Sequence, residues 1–125
     1  MSRRVVITGL GPVSALGIGI DETWQALLEG KSAVSRVDRF DPSGFPSQIA
    51  GQVPEFKVVK FVPKSDRKAT KVMARDIELA VVGADSAARD AGLVTRSTDP
   101  EGYKSDDFKP SYASRRMGCH IGAGL

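Results

Sequence analysis

Twice in this chain, once near each end, a strand-like run empties into a glycine-rich turn. Arg4-Val5-Val6-Ile7-Thr8 is β-branched and apolar, and Gly9 ends it. Such a run reads as a buried strand. Gly9 to Gly19 holds four glycines and Pro12 in eleven residues, which predicts a loop with unusual backbone or a close approach to another element. Arg116-Met117-Gly118-Cys119-His120-Ile121-Gly122 reads as a second apolar strand, running into Gly122-Ala123-Gly124-Leu125. Two or three strands with two helices cannot close a sheet, and they leave an unpaired edge. The expectation is that residues 1–125 are the first part of a larger α/β protein and not a stable monomeric domain.

Between the two runs, Asp21 is expected to cap a helix over Glu22–Glu29, stopped by Gly30, with Trp24, Leu27 and Leu28 as its apolar face. Residues 31–63 read as irregular, broken by four prolines, with a short strand near Gln48–Val53. A long helix is predicted from about Ser65 to Ala91. Met73, Ile77, Ala80, Ala84, Ala87, Ala88 and Ala91 give it an apolar stripe. Gly92 suits the left-handed cap and Leu93 the hydrophobic contact beside it. Residues 94–114 read as an exposed loop whose length points to function or mobility.

Composition excludes several classes. The 125 residues suffice for one modest domain, and a mean hydropathy of -0.17 is that of an ordinary soluble chain. One cysteine, Cys119, rules out an internal disulfide framework or a CxxC site, and one histidine, His120, rules out a His-rich metal site. Aromatics at 6% are too sparse for a surface that stacks single-stranded nucleic acid. No run is long enough to span a membrane, and the N-terminus does not read as a signal peptide, so the default compartment is the cytoplasm.

Three motifs remain. Gly9-x-Gly11-x-x-Ser14 after a strand superficially matches a dinucleotide fingerprint. Pro12, Gly17 and Gly19 interrupt the place where the phosphate-binding helix should begin, so the match is weak. Cys119-His120 looks like a nucleophile with its base, but neighbours in a strand point to opposite faces. Cys119 is therefore expected to be a small buried hydrophobe. The third is charge. Residues 55–75 carry seven basic side chains against two acidic ones, and thus more than the whole chain's net +3. On a continuous helix Lys64, Arg67, Lys68, Lys71 and Arg75 share one third of the circumference, opposite the apolar stripe. That is either a solvated face or a dock for an acidic protein surface.

Arg3 to Gly17, with Thr23-Trp24-Gln25-Ala26-Leu27-Leu28-Glu29-Gly30-Lys31-Ser32, resembles the opening of β-ketoacyl-acyl carrier protein synthases. Phe40-Asp41-Pro42-Ser43 and Ala50-Gly51-Gln52-Val53 are closer to type II than to type I. Lys68 to Leu93 is similar to the family's long helix, and Gly118 to Leu125 to the strand and glycine turn after it. The resemblance implies the N-terminal part of a thiolase-like fold, five-layered αβαβα when complete, in a homodimer. It implies an acyltransferase that elongates acyl chains by decarboxylative condensation with malonyl-acyl carrier protein, in fatty acid or related lipid synthesis. A cysteine nucleophile and two histidines carry that chemistry, and all three fall beyond residue 125. No catalytic residue is therefore expected here, nor a metal or cofactor, since phosphopantetheine arrives on the carrier protein. A non-catalytic chain-length partner subunit is the alternative from another class.

Two roles carry over by position. A gapless alignment puts Lys68 and Lys71 on the carrier-docking positions, and a shifted one puts Lys64, Arg67 and Lys68 there, so all four are candidates. Leu125 falls on a residue that lines the acyl pocket. The chain departs from the family's pattern at Ala74–Asp76 and in residues 94–114, which are longer than the usual connection.

Overall fold

A computed structural model describes residues 3–122. Its regular elements are two antiparallel ladders and two helices. β1 (Val13–Ser14) pairs with β2 (Gly17–Ile18), placing a minimal hairpin inside the glycine-rich stretch read as a loop. α1 (Ile20–Leu28) follows, then β3 (Val34–Arg36) and β4 (Ile49–Gly51), which pair with Ser35 opposite Ala50. α2 (Arg75–Asp90) is the longest element. The strand expected near Gln48–Val53 is β4, whereas its partner β3 lies in a stretch read as irregular.

α1 begins two residues earlier than expected. Gly19, at φ 88°, is its N-cap, and Asp21 lies in the first turn. Glu22 reaches back to accept from the Ile18 amide at 2.9 Å, so an acidic side chain satisfies an amide just ahead of the helix. Gly30 takes the left-handed conformation at φ 63°. Its expected apolar face is not buried. Trp24 is 58% exposed, Leu27 and Leu28 are exposed too, and Ala26 is the residue that packs inward.

α2 explains the glycines of the first loop. A Cβ on Gly11 would overlap the Gly83 carbonyl oxygen and lie 2.6 Å from the Ala87 amide nitrogen. One on Gly9 would lie 2.6 Å from the Ala91 nitrogen. Only glycine lets the two backbones approach this closely. Asp90 locks the contact by accepting from the Leu10 amide at 2.8 Å. The Gly9-x-Gly11 spacing thus serves helix packing, a role that leaves the dinucleotide reading without support. The end of α2 matches expectation: Gly92 sits at φ 63°, its amide reaches the Arg89 carbonyl, and the Leu93 amide reaches that of Ala88. These are the two bonds of a Schellman cap.

Three expectations are corrected. Residues 4–8 are not a buried strand: Val5 is 94% exposed, and no strand among the described residues pairs with the run. Residues 116–122 form no strand either. A 3₁₀ turn covers Ser114–Arg116, and Cys119 is exposed and not a buried hydrophobe. Both runs have the composition of strands, but a strand exists only where partner backbone satisfies its amides and carbonyls. The third correction is to the long helix. It starts at Arg75, because Met73 (ψ 131°) and Ala74 (ψ 161°) are extended. The residues before it form 3₁₀ turns at Lys64–Asp66 and Ala69–Val72. Like charges three and four residues apart disfavour continuous helix there, and Thr70 bonds its hydroxyl to the Arg67 carbonyl at 2.8 Å. The buried side of α2 is also displaced from the expected stripe. Val82 is fully buried and Asp85 is 6% exposed, while Ile77 and Ala84 face outward.

The core is small: Ala26, Val37, Val58 and Val82 are its buried apolar residues. The chain exposes 10027 Å², against about 6,450 Å² for a compact protein of its mass. Large apolar side chains are among the exposed ones: Val5, Ile7 and Val72 are 94%, 82% and 86% exposed.

Candidate functional site, a basic pocket

The 3₁₀ turns before α2 set out the basic residues. Val58 is buried and anchors the first turn, Val58–Lys60. Pro63 holds an extended backbone, and its carbonyl accepts from the Asp66 amide at 2.9 Å to close the second turn. Buried Thr70 anchors the third. Lys64, Arg67, Lys68 and Lys71 are all exposed. Because they lie on successive turns, they do not form one helical stripe. Arg75 is withdrawn from the group: it pairs with Glu78 at 3.0 Å and lies 4.2 Å from the Phe56 ring centroid.

The loop after α2 folds back onto this segment. The Ser111 amide donates to the Val94 carbonyl and the Val94 amide to Ser111 Oγ, which brings the ends of the loop together. Thr98 Oγ1 donates to the Leu93 carbonyl at 2.6 Å, and the Gly102 amide donates to Asp99 Oδ1 at 2.9 Å. Tyr103 meets Phe108 edge to face at 5.2 Å. Residues 94–114 therefore form a loop closed by its own internal bonds.

Two clasps fix its near side. Arg96 donates to Ser65 Oγ and, at 3.2 Å, to Asp66, and its guanidinium lies 5.3 Å from the Tyr103 ring centroid. Ser97 Oγ donates to Asp85 Oδ1 at 2.7 Å, and Arg89 bridges Asp85 at 2.7 Å and the Ser97 carbonyl at 3.1 Å. Asp85 is thus a buried charge with both an ion pair and a hydroxyl, the condition under which such burial is tolerated.

Between the two segments lies an open pocket of about 420 Å³. Lys60, Lys64 and Arg67 line one wall, and Arg96, Tyr103 and Lys104 the other; Phe61 and Pro63 supply apolar surface. Arg89 is the sixth cation of the lining, and Glu101 its one acid. Lys104 donates to Glu101 at 2.6 Å. That hydrogen bond, then the charges of Lys104 and Lys64, hold the Glu101 carboxyl below the usual carboxylate range.

The pocket brings together two of the four candidate docking residues, Lys64 and Arg67, and leaves Lys68 and Lys71 outside its lining. Lys60, Arg96 and Lys104 were not singled out. No spacing rule joins residues 60–67 to 96–104, because their meeting depends on how the loop returns across α2. Cys119 and His120 are both exposed, in a stretch with no strand. The acyl-pocket candidate, Leu125, lies outside the described residues. Among the described residues no helix is long and apolar enough to cross a membrane.

Comparison with known proteins identifies the family. The family described as beta-ketoacyl synthase, N-terminal domain, matches residues 2–124. The 3-oxoacyl-(acyl-carrier-protein) synthase 2 of Coxiella burnetii is 38% identical over 123 residues, 98% of this chain and 26% of that protein. The tetracenomycin polyketide synthase ketoacyl synthase beta subunit of Streptomyces glaucescens is 39% identical, over 78% of this chain and 23% of its own length. Among solved structures, the ishigamide ketosynthase/chain length factor superposes with a TM-score of 0.60 at 37% identity, covering 75% of this chain and 22% of that one. The chain belongs to the β-ketoacyl synthase family and is part of its N-terminal, thiolase-like domain. It spans about a quarter of the length of the curated relatives it matches.

Proposed function

We propose that this chain is part of a β-ketoacyl-acyl carrier protein synthase, an acyltransferase that condenses an acyl group with malonyl-acyl carrier protein in fatty acid or polyketide synthesis. The observation that carries this reading is the match over residues 2–124, together with 38% identity to a 3-oxoacyl-(acyl-carrier-protein) synthase 2. In this reading the acyl group passes to a cysteine thiolate, malonyl thioester loses carbon dioxide, and the resulting carbanion attacks the acyl thioester. The thiolate leaves, and the product remains on the carrier. The nucleophile and its two histidines belong to the part of the family's length beyond residue 125, and the enzyme works as a cytoplasmic homodimer. The contribution of residues 1–125 is to dock the acidic carrier protein through Lys64, Arg67, Lys68 and Lys71, with Leu125 at the acyl pocket.

A second reading has a specific observation behind it. The chain resembles a ketosynthase/chain length factor and a ketoacyl synthase beta subunit about as closely as it does the synthases. A non-catalytic partner subunit would keep the docking surface and lack the acyl-accepting thiol. Incubating the purified protein with a radiolabelled acyl thioester separates the two. Stoichiometric covalent label, followed by extension when malonyl-acyl carrier protein is added, is the expected result. A folded protein that takes no label, alone or with carrier protein, would overturn the enzyme reading in favour of the partner subunit.

A further inference from the structure

The basic pocket has two walls, and only one of them comes from the segment that the docking reading uses. The other is Arg96, Tyr103 and Lys104, held in place by the contacts of Arg96 with Ser65 and Asp66 and of Ser97 with Asp85. We propose that this pocket is an anchor site for a carboxylate side chain projecting from an acidic protein partner, and that the wall at residues 96–104 helps select that partner. The proposal rests on the docking reading and deepens it.

Three observations carry it. Of the six cations in the lining, Arg89, Arg96 and Lys104 are paired with Asp85, Asp66 and Glu101, and Lys60, Lys64 and Arg67 make no ion pair among the described residues. The pocket thus keeps a positive surplus that favours an incoming anion, and charge complementarity of this kind steers encounter and fixes orientation. Its size fits a side chain. A volume of about 420 Å³ has ample room for a single carboxylate side chain. Phe61 and Pro63 offer apolar surface to the methylenes of such a group.

The third observation is Glu101. This carboxylate already stands in the pocket, 2.6 Å from Lys104, with its ionised form favoured by Lys104 and Lys64. It shows how the site receives an anion, and it competes with any that arrives. Its side chain is 77% exposed, so its charge can be removed without disturbing the core.

The test measures binding of a purified acyl carrier protein by stopped-flow association at low and moderate salt. Glu101→Gln should raise the association rate about two- to fivefold at low salt, and Lys104→Glu should lower it by a similar factor. Both effects should shrink as salt rises. A gain of binding cannot come from misfolding, which protects the first variant from that ambiguity. The double variant Lys68→Glu/Lys71→Glu reports on docking outside the pocket. If it weakens the carrier while Glu101→Gln and Lys104→Glu change nothing, the anchor site is overturned and docking stands. If all three leave binding unchanged, both readings fall. Weaker binding with Glu101→Gln would show that Glu101 holds the wall instead of occupying the site, and would also overturn the proposal.

Discussion

Ser97 donates its hydroxyl to the buried carboxylate of Asp85 across 2.7 Å, which fastens the 96–104 wall of the basic pocket to the middle of α2. Arg89 reinforces the junction by bonding both the Asp85 carboxylate and the Ser97 carbonyl. The electrostatics of an exposed pocket thus depend on a contact whose acceptor, Asp85, is buried.

Removing either partner should therefore cost stability unequally. Ser97→Ala is expected to cost about 1 kcal/mol, and Asp85→Ala about 2–3 kcal/mol, because the second strips a charged acceptor from two donors. The double variant should cost less than the sum of the two. Urea denaturation of the three proteins checks this, and strict additivity would show that the hydroxyl and the carboxylate act independently.

The close approach of the glycine loop to α2 makes a sharper prediction. Gly11→Ala would drive a methyl group into the Gly83 carbonyl and the Ala87 nitrogen, backbone atoms that cannot turn aside. A loss of about 3 kcal/mol or more is expected. Gly44→Ala, which meets nothing within 4 Å, should be neutral or stabilise by about 0.5 kcal/mol. Thermal melts of both variants provide the comparison. Equal melting temperatures would mean that the loop and α2 are not in contact.

Glu101 supplies a pH signature. Its carboxyl titrates below the ordinary carboxylate range because Lys104 favours the ionised form. A lowered folded value means that the Lys104 contact contributes above the ordinary carboxylate range and fades as pH falls through the lowered value. Titration followed by NMR at the Glu101 side chain should show the depressed midpoint, and Lys104→Met should move it upward. An unmoved midpoint would assign the depression to some other cation.

These contacts show what the sequence could and could not disclose. The Schellman cap at Gly92 and Leu93 was legible because both bonds are local and only glycine takes its φ cheaply. The existence of α1 was legible through its acidic start and Gly30, although Gly19 and not Asp21 is its cap. The run Val5-Val6-Ile7 discloses a need for burial but not the backbone that would meet it, since strand pairing is non-local. The segment at 64–75 misled because helical spacing assumes an unbroken helix, and two extended residues at Met73 and Ala74 rotate everything before them out of phase. Arg96 and Lys104 were hidden by distance along the chain. Their charges are ordinary in sequence and become a wall only when the loop folds back on Lys64.

In the proposed function the basic segment receives an acidic carrier protein for a condensation whose chemistry lies elsewhere in the protein. The most direct measurement is kcat/KM for the wild type and Lys68→Glu/Lys71→Glu, with the acyl donor supplied either on a carrier protein or as a small thioester. The two side chains are exposed, so the change should leave folding intact. The expected result is a loss of about tenfold with the carrier-bound donor at low ionic strength, smaller at higher salt, and almost none with the small thioester. Equal loss with both donors, or no loss with either, would contradict it.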